Sequence, residues 1–338
     1  MPRKMDQQII RVDPALSLSK YRQVVQSLQA GIKDGLLGVG DRLPSINQVC
    51  RQWSLSRDTV LKAYGELQSQ GLVYSTPGKG FFVASTRVDL EQNIFVLFDE
   101  LNAFKEDLYA SFLKHLGDRA RVEIFFHHFN RKLFENLLEQ YKRAYTTFVV
   151  MPAKFHDTAP LLKGLPGRVV VLDQLPDDLR GLFPAVYQNF DKDIYDALTS
   201  GAGLLGKYDH LVMVYPGGKE PEGQRRGFVR FCEERGDSYE VLSDLQGRTV
   251  RRGEAYVAIW DRDLVELVRQ ARRDGLHLGT DLGIISYNDT ELKEVVAGGI
   301  TTVSTDFKEM GRILAGLVLG QSGGQIENPS SLIKRASL

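Results

Sequence analysis

Over the first quarter of the chain, apolar residues recur at three- and four-residue spacings. Tyr21, Val24, Val25, Leu28 and Ile32 share one face behind Ser19 and predict a helix ending at Gly35. Ser45 precedes Ile46 and Val49, and Ser56 precedes Val60, Ala63, Tyr64 and Leu67. Each hydroxyl can accept a backbone N–H that a helix start leaves unpaired, so two further short helices are predicted. Gly71 stands where a left-handed helix end is needed. Leu72 to Tyr74 then runs extended into the turn-rich Ser75 to Gly80, and Phe81-Phe82-Val83 returns. The pattern is helix, turn, helix, hairpin, and Ile9 to Val12 reads as a short strand beside that hairpin.

From Asn93 the rhythm changes to short, near-continuous apolar runs alternating with amphipathic stretches. Strands are predicted at Ile94–Phe98, Val122–Phe126, Thr147–Met151 and Val169–Leu172, with helices near Leu108–Leu116, Lys132–Tyr141 and Thr158–Lys163. After Val186 a second set follows. It has a helix around Ile194–Leu204, strand Leu211–Val214, helix Gln224–Glu234, strand Tyr239–Leu242, strand Tyr256–Ile259, helix Leu264–Asp274 and strand Leu282–Ser286. Apolar strands alternating with helices imply parallel sheets covered on both faces. The fold class is α/β: a small helical head with a hairpin, then two lobes. Ala84 to Gln92 is polar and lacks periodicity, so the expected domains are a head at 1–83, a linker at 84–92 and a two-lobed remainder at 93–338.

Composition sharpens this division. The 338 residues carry no formal net charge, yet residues 1–83 hold eleven Lys/Arg against six Asp/Glu and the remainder holds 32 against 37. The head is therefore the half suited to a polyanion. Cys50 and Cys232 fall in different predicted domains, with no spacing that suggests a disulfide framework or a metal site. No N-terminal apolar core of a signal and no run of eighteen apolar residues occurs, so a cytoplasmic location without membrane attachment is expected.

Three correctly spaced blocks in the head, GDRLPS (40–45), SRDTVLKAY (56–64) and GLVYSTPGKGFFV (71–83), follow Lys20 to Val25. Together they closely resemble the winged helix-turn-helix of the GntR family of bacterial transcription regulators. The resemblance implies a homodimer reading a near-palindromic double-stranded DNA operator, with two recognition helices about 34 Å apart. It places Arg57 on base edges, with Ser45, Asn47, Ser56, Asp58, Thr59, Lys62 and the wing tip Gly78-Lys79 beside it on the DNA-facing surface.

The rest resembles the sensor domains of LacI-type repressors, which share the periplasmic sugar-binding-protein fold. The matching runs are Asp281 to Asp289, Ile300 to Phe307 with Met310-Gly311, and Asn328 to the terminal Leu338, which is similar to the closing strand of such sensors. Ligands of open parallel sheets sit outside the carboxyl ends of the strands. Strand ends offer Phe98, Asp99, Asp173, Trp260, Arg262, Asn288 and Asp289 as candidate effector residues, and the resemblance to such sensors adds Phe104 and, at a helix start, Gln224, Arg225 and Arg226, with a sugar or sugar phosphate as the implied ligand. Two positions depart from the family pattern. Gln224 stands three residues before Gly227-Phe228, where such sensors carry arginine, and Asn288 replaces the first Asp of an aromatic-Asp-Asp triplet. Arg225 and Arg226 also read as solvated helix-start residues, and Trp260 also reads as core.

Other chemistries find less support. His127-His128 has no third metal ligand nearby in sequence, and Asp99 and Glu100, adjacent on a strand, point opposite ways. The glycines around 201–203 and 217–218 lack a P-loop lysine or a dinucleotide fingerprint. A pyridoxal-phosphate enzyme fused to such a head would need a longer chain and a Schiff-base lysine. No cofactor, metal or enzymatic activity is expected. The reading is a ligand-responsive regulator, a repressor of carbohydrate-utilisation genes, the alternatives being an activator, a non-sugar effector or an enzyme with a regulatory head.

Overall fold

The structure is a computed structural model that describes residues 9–13, 19–86, 92–117, 120–142 and 144–338. It begins with α1 (Lys20–Lys33), α2 (Ile46–Trp53) and α3 (Arg57–Ser69), followed by the antiparallel hairpin of β1 (Val73–Thr76) and β2 (Gly80–Val83). Ser45 and Gln48 close a reciprocal capping box at α2, each side chain bonded to the other's backbone N–H. Ser56 Oγ accepts from the Thr59 N–H at α3. Val24, Leu28, Val60, Ala63, Tyr64 and Leu67 are fully buried together. The Tyr64 hydroxyl donates to the Pro44 carbonyl at 2.6 Å while its ring meets Phe81 edge-on, so one side chain ties α3 to the start of α2 and to the hairpin.

One expectation fails here. Residues 9–12 form no strand; Arg11 bonds Ser27 of α1 through both its N–H and its carbonyl, and Ile10 and Val12 bury among the head's core residues. The apolar residues of this run are buried by packing on the helical core of the head instead of pairing with the hairpin. Of the expected linker, residues 87–91 lie outside the described residues, and Gln92 opens the next strand.

Next come β3 (Gln92–Phe98), α4 (Ala103–Leu116), β4 (Ala120–Phe126), α5 (Arg131–Tyr141), β5 (Thr147–Val150), α6 (Ala159–Lys163), β6 (Arg168–Asp173) and β7 (Ala185–Tyr187). The second set is α7 (Phe190–Ser200), α8 (Ala202–Leu205), β8 (His210–Val214), α9 (Glu222–Arg235), β9 (Tyr239–Leu242), β10 (Glu254–Ala258), α10 (Asp261–Arg273), β11 (Leu282–Tyr287), α11 (Glu291–Val295), β12 (Thr301–Thr305) and α12 (Phe307–Val318). β13 (Gln325–Glu327) and β14 (Ser330–Ile333) close the chain. Two six-stranded sheets result, in the orders β13-β7-β6-β5-β3-β4 and β14-β12-β11-β10-β8-β9, parallel in every recorded pairing except β14 on β12. Two compact units arise: residues 1–99, 116–150 and 158–170, and residues 100–115, 151–157 and 171–338.

Within the second unit both faces of the sheet are apolar. Met213, Val257, Ile285 and Val303 pack with Ile194 and Phe228, whereas Val212, Val214, Tyr256 and Ile284 pack with Leu264 and Leu267. This two-faced burial explains the unbroken apolar runs of the sequence. Helices α7 and α9 approach so closely that a Cβ on Gly227 would stand 2.2 Å from the Asp191 carbonyl oxygen.

Candidate functional site

Two groups of residues carry chemistry, one in each unit. In the head, the face of α3 opposite the core presents Arg57, Asp58 and Lys62 to solvent. Arg57 Nη1 lies 3.4 Å from the Asn47 side-chain oxygen of α2, and the Lys62 ammonium sits 4.2 Å from the centre of the Tyr21 ring of α1. Ser45 and Ser56 are occupied as helix caps, and Thr59 shares its hydroxyl with Ser56 at 2.8 Å. Gly78 and Lys79 are exposed in the three-residue tip between β1 and β2. Gly78 has φ +73°, a conformation that a side chain would strain, so the turn that presents Lys79 requires glycine. The Arg42 guanidinium is 3.4 Å from where a Cβ on Gly80 would stand, which adds a cation at the wing base that the sequence reading did not single out.

In the second unit, parallel pairing aligns strand ends: Tyr287 of β11 lies opposite Val303 of β12, and Ala258 of β10 opposite Ser286 of β11. The carboxyl ends therefore deliver Trp260, Asn288 and Thr305 to one edge of the sheet. Tyr287 is buried among Gln224, Asp193, Asp173 and Glu220; burial, with the nearby Asp193 carboxyl, pushes its phenol well above the usual range. Gln224 Oε1, Asn288 Oδ1, Asp193 Oδ2 and Thr305 Oγ1 are buried oxygens that meet no hydrogen-bond donor or acceptor among the described residues. Buried polar atoms are ordinarily paired, so the orphan oxygens of Gln224 on α9 and Asp193 on α7, both near Tyr287 at the end of β11, mark a place built for hydrogen-bonding ligand atoms. Asp173 at the end of β6 and Asn288 after β11 both adopt left-handed backbone, φ +74° and +58°. Such strain concentrates at functional sites.

A cavity of about 330 Å³ is walled by Lys154, His156, Gln174, Gln188, Phe190, Asp191, Glu222 and Arg226, taking in the starts of α7 and α9 but none of the four orphan oxygens. Gln188 Nε2 donates to Asp173 Oδ1 at 2.5 Å, fixing that carboxylate at the cavity's edge. Asp193, on α7 one turn beyond Asn189, is buried; loss of water together with the nearby Glu327 carboxylate raises its carboxyl to about 7.

Several predicted effector residues are committed elsewhere. Asp289 is held bidentately by Arg335, at 2.7 and 2.8 Å, and accepts from Thr302. Burial would raise its carboxyl, but these hydrogen bonds hold it below the usual range. Arg226 reaches the cavity wall but pairs with Asp191 at 3.2 Å, and Arg225 pairs with Glu222 at 3.1 Å. Trp260 Nε1 donates to Glu220 at 2.7 Å, and the Arg262 guanidinium lies 4.0 Å from the centre of the indole ring, which occupies a face that could have stacked on a ligand. Phe104 of α4 stacks on Phe307 of α12 at 4.8 Å between ring centres. Phe98 ends β3 and Asp99 follows it, both buried residues of the other unit. The sequence reading missed Asp193, Gln188, Thr305 and Lys293. Lys293 is buried and donates to the carbonyls of Tyr287 and Asn288 at 2.8 and 2.7 Å while pairing with Asp261, which fixes the corner that presents Asn288.

Comparison with known proteins places both parts. Residues 20–83 match the family described as bacterial regulatory proteins, gntR family, and residues 203–338 match the periplasmic binding protein-like domain. The arabinose metabolism transcriptional repressor of Geobacillus stearothermophilus is 35% identical over 68 residues, covering 20% of this chain and 19% of that protein. The probable fructoselysine utilization operon transcriptional repressor of Escherichia coli (strain K12) is 36% identical over 69 residues, 20% of this chain and 28% of the relative. The HTH-type transcriptional repressor YtrA of Bacillus subtilis (strain 168) is 30% identical over 76 residues, 22% of this chain and 58% of the relative, so the chain spans less than two thirds of these proteins' lengths. Among solved structures, a LacI family transcriptional regulator from Silicibacter pomeroyi superposes with TM-score 0.62 at 18% identity, over 73% of this chain and 98% of that one. One from Enterococcus faecalis V583 with bound ribose gives 0.58 at 17% identity, over 72% and 98%. The chain thus carries a GntR-type helix-turn-helix domain followed by a periplasmic-binding-protein-like domain of the fold seen in LacI-family regulators.

Proposed function

We propose that this chain, a GntR-type head joined to a LacI-like sensor, is a ligand-responsive transcription regulator. It represses carbohydrate-utilisation genes and leaves its operator when a sugar binds. The observation that carries the reading is the combination, in one chain, of a solvent-facing Arg57, Lys62 and Lys79 on a helix-turn-helix and wing with buried, unpartnered oxygens of Gln224, Asn288 and Asp193 in the sensor. A sugar offers hydroxyl donors to such oxygens. The names of its relatives, repressors of arabinose metabolism and of fructoselysine utilization, point the same way. The protein acts as a homodimer on a near-palindromic operator, with the head at 1–83, a linker at 84–92 and the sensor from 93. It works without catalysis. Among the described residues no helix is long and apolar enough to cross a membrane.

In mechanism, Arg57 reaches base edges from the N-terminal turn of α3, steadied by Asn47. Lys62 and the wing-tip Lys79 contact backbone phosphate. Effector binding releases DNA only if the effector binds the DNA-incompetent state more tightly. Arg57→Ala should cost about 1–3 kcal/mol of specific operator binding and relax sequence preference. A gel shift in which Arg57→Ala binds operator as tightly as the parent would remove Arg57 from this role.

A further inference from the structure

We infer that Leu61 reads the C5-methyl group of a thymine in the operator's major groove, an inference that rests on the head's role in DNA binding. On α3 the buried positions are Val60, Ala63, Tyr64 and Leu67, and of the rest Arg57, Asp58, Leu61 and Lys62 are exposed while Thr59, Gly65, Glu66, Gln68 and Ser69 are half-buried. Leu61 is 38% exposed and is absent from the residues packed into the head core. It stands one turn after Arg57 on the same line of the helix, flanked by Lys62. In the major groove the methyl group that marks a base pair is thymine's, read by apolar contact, whereas the heteroatoms of the base edges are read by hydrogen bonds. An aliphatic side chain on a line that begins with a cationic, base-reaching arginine fits that methyl and little else in the groove.

Gly65 supports the placement independently. It lies one further turn along the same line, inside the helix, where glycine weakens the helix relative to alanine. No atom lies within 4 Å of where its Cβ would stand, and its φ lies outside the range that favours glycine, so neither packing nor backbone requires the residue. The line Arg57, Leu61, Gly65 shrinks step by step, which lets the helix axis settle against a groove wall closely enough for a leucine to reach base edges.

The test uses the full chain. Its preferred duplex is selected from a randomised pool by gel shift and resynthesised with each thymine replaced singly by deoxyuridine, which removes the methyl group alone. The parent protein should lose about fourfold in affinity at one thymine in each half-site, the worth of one buried methyl-sized group. Leu61→Ala, with unchanged circular dichroism and melting temperature, loses the contact in both half-sites, so it should bind the parent duplex about sixteenfold more weakly, fourfold for each half-site, and ignore the uracil at that position. A preferred sequence on which the parent protein tolerates uracil everywhere, or a Leu61→Ala variant that keeps the full uracil penalty, overturns the inference while leaving DNA binding standing. A pool that yields no preferred sequence overturns both.

Discussion

Asp193 shows how much one residue can hold in reserve. Its carboxyl is buried on α7 with one oxygen unpartnered, near Glu327, Asp196, Lys192 and the Tyr287 phenol, and burial raises it from the ordinary 3.8 to about 7. Between these two values the folded protein holds a proton that the unfolded chain has released, so stability falls as pH rises from about 4 to 7. Asp193→Asn should flatten that fall and raise stability at pH 8, on the order of 2–4 kcal/mol, because the amide carries no charge to desolvate. Urea midpoints at pH 5 and pH 8 measure it; a variant whose midpoint falls at pH 8 would show that the charged form is well compensated. Such residues are poorly legible in sequence. Asp193 sits in an ordinary polar helix start, and only the fold brings Tyr287 and Glu327 to it. Asp289 teaches the complementary lesson: as a strand-end acid it reads as a ligand contact, yet Arg335, 46 positions away, holds it in a fork.

At the scale of elements, local chemistry was largely legible because its causes are local. The caps at Ser45 and Ser56, the apolar faces of α1 and α3 and the hairpin turn at Gly78 each depend on residues within a few positions of one another. The misses have the opposite origin. β7 is three residues long, too short for any period to show, and it is completed by β13, whose Gln325 pairs with Ala185 from 140 positions on. α11 has five residues, and its Leu292 and Val295 face solvent, so no apolar stripe marks it. The α7–α9 pair sets up the next prediction. A methyl group on Gly227 would meet the Asp191 carbonyl and the Ile194 side chain at 2.2 and 2.5 Å, so Gly227→Ala should destabilise by about 1–3 kcal/mol or more through forced separation of the helices. An unchanged urea midpoint would mean that the two helices are free to slide. Because Gln224 precedes Gly227 on α9, the same substitution should also weaken effector binding.

For the whole molecule, a net charge of zero conceals a cationic head and an acidic remainder. In the proposed regulator that head would supply salt-sensitive attraction to DNA, and the acidic remainder would limit unspecific binding. The double architecture was legible from the change of period near Asn93, because sheets buried on both faces leave uninterrupted apolar runs. Which strand ends work together was not, since that depends on sheet order. In the proposed mechanism one ligand class empties the operator, and this release is the step on which regulation rests. It is tested most directly by fluorescence anisotropy of the selected duplex bound to the full chain, titrated in turn with pentoses, hexoses and their phosphates. One sugar should lower operator affinity about 100-fold at saturation, about 2.7 kcal/mol of coupling, and bind correspondingly more weakly to the DNA-bound protein. Operator binding that no member of the panel alters, by a protein shown to bind one of them, would contradict it.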